Sequence, residues 1–106
     1  MLSDEVRAFL RRLDEKEREK ILYNIRKAQL INDHELFKKL TDEIWEFRTL
    51  FNRTHYRIFA FWDKSAPIAA LVLTTHGIIK KTGKTPQADL DKAERIRKIY
   101  FDQKSR

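Results

Sequence analysis

The sequence contains no cysteine and very little glycine or proline, with two residues of each among 106. The absence of cysteine excludes a disulfide framework and a thiolate metal site. No apolar run approaches the roughly 20 residues that a membrane-spanning helix needs. The first five residues are acidic and lack the pattern of a signal peptide, so we expect a cytoplasmic protein. The 42% hydrophobic content predicts one globular domain over residues 1–106.

Positive charge is unevenly distributed along the chain. The formal net charge is +7, of which residues 1–75 contribute +2 and residues 76–106 contribute +5. An excess of this kind suits a nucleic-acid surface or an acidic protein partner. A basic face that only aids solubility is the alternative.

The N-terminal third predicts two amphipathic helices. Ser3 is an N-cap followed by acidic residues, and apolar residues then recur at helical spacing. Asp14 and Glu17 form the pattern of a capping box, which predicts the start of a second helix. The Asn32–Asp33 pair ends that helix, and we expect a short helical turn over residues 34–40.

The middle of the chain predicts three antiparallel strands. Apolar and polar residues alternate from Glu43 to Phe51, and a second strand is predicted from His55 to Trp62. The continuous apolar run from Ile68 to Thr75 predicts a strand buried at the centre of the sheet. Thr85 and Pro86 predict the N-cap and first residue of a last helix. The order of elements indicates an α+β domain.

The register of the first two strands predicts an anionic ligand site. A turn at Asn52–Arg53 places Trp45, Phe47 and Thr49 opposite Ala60, Ile58 and Tyr56, which is one apolar face. On the other face Arg48 then lies opposite Arg57, and two opposed guanidinium groups repel. A phosphate held between them on an open sheet face would relieve the repulsion. Screening by Glu46, or divergence of both side chains into water, are the alternatives.

A second candidate region is the segment from Thr74 to Pro86, which combines one histidine, three lysines and both glycines. Lysine supplies mobile positive charge, and glycine lets the backbone approach a ligand closely. His76 is a candidate acid or base, although it could equally cap a loop through a hydrogen bond. His34 and His55 have no partners at metal-ligand spacing, so we predict no metal and no cofactor.

Three stretches together resemble the phage Gp49-like, or HigB, branch of the RelE/ParE toxin superfamily. They are Ile44–Arg48, Tyr56–Phe61 and His76–Pro86. The resemblance spans almost the whole chain. It implies a toxin of a type II toxin–antitoxin system that cleaves mRNA, usually on the ribosome. It also implies a small antiparallel sheet packed on an N-terminal helical hairpin, together with a C-terminal helix.

The resemblance suggests roles for the basic residues in metal-free RNA cleavage, in which the substrate 2′-OH is the nucleophile. The expected catalytic residues are Arg48, Arg57, His76 and Lys81. The expected RNA-binding residues are Lys80, Lys84, Arg53 and Phe59. The implied partners are the ribosome with its mRNA and a cognate antitoxin, expected to be of the helix-turn-helix type.

One departure from the family pattern concerns the first strand, which family members usually have before the first helix. Only Met1 and Leu2 precede Ser3, which leads us to expect an unfilled slot at a sheet edge. Such a slot would weaken the fold, favour a homodimer by strand exchange, or abolish activity. Two other functions therefore stay open: a ParE-like inhibitor of DNA gyrase, and a decayed RNA- or protein-binding module.

Overall fold

The computed structural model describes residues 1–65, 70–80 and 84–105. Its helices and strands are α1 (Asp4–Arg11), α2 (Glu15–Ile31), β1 (Phe37–Lys39), β2 (Trp45–Phe51), β3 (Thr54–Asp63), β4 (Leu71–Lys80) and α3 (Gln87–Lys104). The strands form one antiparallel sheet in the order β1-β2-β3-β4. Helices α1 and α2 cover one face of this sheet and α3 covers part of the other. The predicted α+β class is therefore confirmed.

The capping signals of the first two helices are confirmed. The Ser3 hydroxyl accepts the backbone N–H of Val6, which satisfies one of the free donors at the start of α1. Asp14 and Glu17 form a reciprocal capping box at the start of α2. Asn32 ends α2 in the left-handed conformation that asparagine tolerates better than most residues.

The helical turn expected over residues 34–40 is confirmed only for residues 34–36, where Leu36 and Phe37 donate their N–H groups to the Asp33 oxygen, because residues 37–39 form β1. Phe37 pairs with Phe47 across the sheet, and their ring centroids lie 4.3 Å apart. The Phe37 ring also stacks on Trp45 at 4.8 Å. Aromatic cross-strand contacts of this kind stabilise a strand more than the local helical spacing stabilises a turn.

The register predicted for β2 and β3 is confirmed. Arg48 lies opposite Arg57. The two strands are joined by a two-residue turn in which Asn52 and Arg53 have φ values of 50° and 59°. Two consecutive positive φ values match the type I′ turn that suits the twist of a hairpin.

The third predicted strand is placed differently. Strand β4 starts at Leu71, extends to Lys80 and lies at the edge of the sheet rather than at its centre. Residues 68 and 69 of the predicted strand lie outside the described residues. Its apolar character arises because α1 packs on one face and α3 on the other. The strand therefore continues past the predicted end at Thr75 and includes His76, Gly77 and Lys80.

A β-bulge interrupts the pairing of β3 with β4. Ile58 pairs with Gly77 and Ala60 pairs with Thr74, so Phe59 alone lies opposite both Thr75 and His76. The extra residue changes which residues of β4 face each side of the sheet. After the bulge, Gly77 faces α1, where the ring of Phe9 leaves no room for a Cβ atom.

The slot expected at the sheet edge is partly occupied. The backbone oxygen of Met1 accepts the N–H of Thr74, and the Met1 amino group donates to the oxygen of Val72. The Ser3 N–H donates to the Thr74 hydroxyl. Met1 therefore bonds to β4 as a strand residue would, and α1 begins directly beside this edge.

Helix α3 is fixed to the sheet at both of its ends. Near its start Asp89 contacts His76, and near its end Tyr100 and Lys104 contact Asp63 at 2.6 and 2.5 Å. These bonds hold the pKa of the Asp63 carboxyl well below its usual range, Lys104 being the first contributor. The predicted N-cap at Thr85 is wrong, because α3 starts after Pro86 and the Thr85 hydroxyl donates to Glu46 instead.

Candidate nucleic-acid interface

The candidate residues lie on one side of the sheet, which we call the α3 face. Three rows of cross-strand neighbours cover it from the middle of the sheet toward the β2–β3 turn. They are Glu46–Phe59–His76, Arg48–Arg57–Ile78 and Leu50–His55–Lys80. The fold thus gathers most of the predicted site residues on adjacent positions of a single surface.

The part of the α3 face nearest the middle of the sheet is closed. Arg57 and His76 are 1% and 2% exposed, and Phe59 is completely buried. The Phe59 ring stacks on the His76 imidazole with 4.7 Å between centroids. Our expectation of an open face is wrong here, because α3 packs its apolar side over these residues.

Glu46 occupies the space between the two arginines. Its Oε1 atom accepts a bond from Arg57 Nη1 at 2.6 Å and lies 3.6 Å from Arg48 Nε. Its Oε2 atom accepts a bond from the Thr85 hydroxyl at 3.1 Å. A buried carboxylate therefore stands where the sequence suggested a phosphate, which is the screening alternative.

The charge of Arg57 is maintained by this arrangement. Burial lowers the pKa of its guanidinium and Arg48 lowers it further, whereas Glu46 opposes both effects. A buried ion keeps its charge when paired and hydrogen-bonded. In this conformation Arg57 holds the Glu46 carboxylate in place, and Glu46 in turn orients the partly exposed Arg48 side chain.

His76 is held by a partner at each ring nitrogen. Nδ1 lies 2.9 Å from the Thr75 hydroxyl, and Nε2 lies 3.2 Å from Asp89 Oδ1. Burial lowers the pKa of His76, although the Asp89 carboxylate opposes that change. Asp89 lies in the first turn of α3, so this bond joins the start of the helix to β4. In this conformation His76 links β4 to α3 and has almost no contact with solvent.

The end of the α3 face nearest the β2–β3 turn is open. Leu50 is 61% exposed, and His55 and Lys80 are half-buried. The Arg48 side chain is 31% exposed at the boundary between the closed and open parts. Arg53 is exposed at the tip of the turn, beyond these rows.

A groove of about 540 Å³ continues from this open end over the edge of β2 to α2. Three of its four charged residues are basic, and Glu35 is its carboxylate. The lining residues are Lys20, Asn24, Lys27, Glu35, Leu36, Arg48, Thr49, Leu50 and His55. The net positive charge of the groove attracts phosphate groups.

The structure gives less information on two other predicted residues, Lys84 and Lys81. Lys84 is exposed just before α3. Lys81 lies outside the described residues, so its assignment depends on the sequence alone.

Sequence reasoning missed three basic residues of the open groove, Lys20, Lys27 and His55. A signal for His55 was present, because residues two apart in a strand point to the same face and His55 must therefore share the face of Arg57. The two lysines gave no signal, because a helix rich in Lys, Arg and Glu looks like an ordinary solvated surface.

Comparison with known families agrees with this architecture. Residues 8–98 match the family described as phage derived protein Gp49-like (DUF891). The chain belongs to this family. The family is the RelE/HigB-like branch of toxins, and membership implies a toxin–antitoxin toxin with an antitoxin partner.

No curated protein and no solved structure gives a significant match. None of the helices in the described ranges is long and apolar enough to cross a membrane.

Proposed function

We propose that this Gp49-like chain is the toxin of a type II system and cleaves mRNA on the ribosome. The substrate 2′-OH attacks the adjacent phosphate, and the protein supplies positioning and positive charge. Family membership supports the toxin assignment. The observation that carries the RNA assignment is the Arg48 guanidinium, fixed by a buried carboxylate at the mouth of a basic groove.

Phosphate contacts in this proposal come from the accessible cations. Arg48 and Lys80 hold the scissile phosphate, because they lie on adjacent rows of the open part of the sheet. Arg53 and Lys84 hold flanking phosphates, and Lys81 keeps the role suggested by the sequence. Arg57, His76 and Phe59 reach the substrate only if α3 leaves the sheet. In the closed arrangement Arg57 acts through Glu46.

The test is incubation of the purified protein with translating ribosomes, followed by mapping of mRNA ends. Cuts near the ribosomal A site support the proposal. Intact mRNA together with arrested supercoiling by DNA gyrase supports the ParE-like alternative. Salt-sensitive RNA binding without cleavage supports a binding module.

A matched pair of variants makes the test specific to the proposed site. Arg48→Ala should reduce cleavage at least tenfold, which corresponds to about 1.4 kcal/mol in the barrier. Arg12→Ala removes the same charge from an exposed position at the end of α1 and should cleave as the wild type does. Equal activity of the two variants would exclude Arg48 from the mechanism.

A further inference from the structure

We propose that His55 is the general base of the RNA cleavage, which places the reacting centre at the open end of the α3 face. The inference rests on the proposed function and names the residue that moves the proton. The three histidines differ in whether a substrate in the groove can reach them. The sequence alone did not single out His55.

The position of His55 brings it between two strands that carry cations. It lies opposite Lys80 of β4 and opposite Leu50 of β2. Directly opposed residues have Cβ atoms about 4.5–5.5 Å apart, and diagonal neighbours such as Arg48 are about 7–8 Å away. A phosphodiester above His55 is therefore within reach of the long Lys80 and Arg48 side chains.

Access separates His55 from the other two histidines. His76 is buried and bonded at both ring nitrogens. His34 is exposed in the connection between α2 and β1 and does not line the groove. His55 lines the groove, and no group in the described part of the chain hydrogen-bonds to its imidazole. Neither of its nitrogens is thus occupied by another described residue.

The charges around His55 suit this role. Lys20 and Lys27 of α2 line the same groove as His55, and Arg48 and Lys80 lie on the neighbouring strands. Glu35 is the carboxylate in the lining. Four cations and one anion attract the RNA backbone, and histidine is the side chain best suited to accept a proton near neutral pH.

The step is balanced without any other reactant except water. His55 takes the proton from the 2′-OH, and the 2′-oxygen forms a bond to phosphorus. The bond from phosphorus to the 5′-oxygen breaks, and this leaving oxygen takes a proton from water. The products are a 2′,3′-cyclic phosphate and a 5′-hydroxyl. Arg48 and Lys80 stabilise the added negative charge on the phosphorane.

The first experiment compares single-turnover cleavage of ribosome-bound mRNA by the wild type, His55→Ala and His34→Ala. Loss of a general base typically costs a factor of 10²–10⁴, so we expect His55→Ala to be at least about 100-fold slower. Added imidazole should restore part of this activity, which repair of a structural defect would not do. His34→Ala should match the wild type.

The outcomes separate this inference from the function on which it rests. Intact mRNA with the wild-type protein overturns the proposed function and the inference together. Cleavage by both the wild type and His55→Ala at similar rates overturns only the role of His55. Loss of activity that imidazole does not restore also counts against a base at this position, provided that His55→Ala keeps the wild-type circular dichroism and melting temperature.

A second substrate distinguishes a base from an acid. Replacing the 5′-bridging oxygen by sulfur gives a leaving group that needs no proton. If His55 is the base, His55→Ala stays slow on this substrate. Recovery of its rate to that of the wild type would show that His55 instead protonates the leaving group.

A binding measurement tests the location of His55 without cleavage. Titration of the labelled wild-type protein with a 2′-O-methyl RNA oligonucleotide, followed by NMR of the imidazole rings, should shift the His55 signals. The His34 and His76 signals should stay in place. Shifts at His34 alone, or at no histidine, would overturn the proposed site whatever the cleavage assay shows.

Discussion

Arg57 Nη1 lies 2.6 Å from Glu46 Oε1, and both side chains are buried between the sheet and α3. This pair explains how the sheet accommodates Arg57 directly opposite Arg48, an arrangement that would otherwise be repulsive. Arg57, which the sequence predicted to be catalytic, is therefore part of the buried interior of the closed protein.

Removing the carboxylate from this pair should destabilise the protein strongly. Glu46→Ala leaves a buried guanidinium without its anion, and we expect a loss of about 3–5 kcal/mol in the free energy of unfolding. Glu43→Ala removes one of two carboxylates that pair with Arg97, from a half-exposed position, and exposed pairs contribute about 0–1 kcal/mol. Urea unfolding of both variants measures the contrast. Similar losses in the two would contradict the structural role of Glu46.

The buried His76 predicts a stability that falls in mild acid. Because burial holds its pKa below the ordinary value of 6.5, the unfolded chain binds a proton that the folded chain does not. Its contribution is complete above pH 6.5 and decreases as the pH falls below that value, by at most about 1.4 kcal/mol per pH unit.

The corresponding control is His76→Gln, which lacks the titrating group. Free energies of unfolding measured between pH 7.5 and 5 should converge for the wild type and the variant as the pH falls. Parallel curves for the two proteins would show that His76 is not responsible for the acid sensitivity.

Gly77 should tolerate no side chain. An added methyl group would lie 2.6 Å from Phe9 Cδ2 and 2.9 Å from Ile58 Cδ1. Overpacking of this kind typically costs about 1–3 kcal/mol, so Gly77→Ala should lower the urea midpoint. The double variant Gly77→Ala/Phe9→Leu should be more stable than the sum of the single effects predicts. Additive effects would contradict the packing of α1 on β4.

The turn residue Arg53 should show a conflict between stability and RNA binding. Its φ of 59° is a left-handed conformation that favours glycine, so Arg53→Gly should stabilise the protein by about 1 kcal/mol. The same variant should bind RNA more weakly, because it loses a cation at the tip of the hairpin. Arg53→Gln keeps the backbone strain and loses the charge, so it should weaken binding without raising the melting temperature.

Arg48 should affect the salt dependence of RNA binding more than the stability. Each phosphate contact to a single strand contributes about 0.7 to the slope of log K against log salt concentration, so Arg48→Ala should reduce the slope by about that amount. Lys98→Ala, an exposed change on α3, should leave the slope unchanged. An unchanged slope in Arg48→Ala would show that its guanidinium does not contact phosphate.

Local signals in the sequence were sufficient for much of the fold. The caps at Ser3 and Asp14 and the pairing of Arg48 with Arg57 follow from short-range rules, namely capping geometry and strand alternation. These rules do not depend on what packs above each element. Helix α1, the start of α2 and the β2–β3 hairpin were therefore predictable.

The placement of α3 could not be predicted in the same way. Whether the last helix covers a sheet face depends on the sum of contacts that its apolar side makes with Ile44, Phe59 and Phe61. Composition does not report such contacts, so Arg57 and His76 looked accessible although they are buried. The segment after Thr74 was misleading for a related reason, since its histidine is buried in β4 and its first glycine packs against Phe9.

The bulge opposite Phe59 sets the phase of the rest of β4. If this chain paired without the bulge, Lys80 would point toward the α1 side of the sheet. Gly77 would then face α3 and no longer contact Phe9. Deleting one residue after the bulge, Ile78 or Ile79, would therefore turn Lys80 to the other side of the sheet, although every lysine would remain in the chain. Deleting Thr75 or His76 would instead remove the bulge and leave Gly77 opposite Ile58. The spacing between Gly77 and Lys80 is thus a property that homologous sequences and engineered variants must keep, independently of their overall basicity.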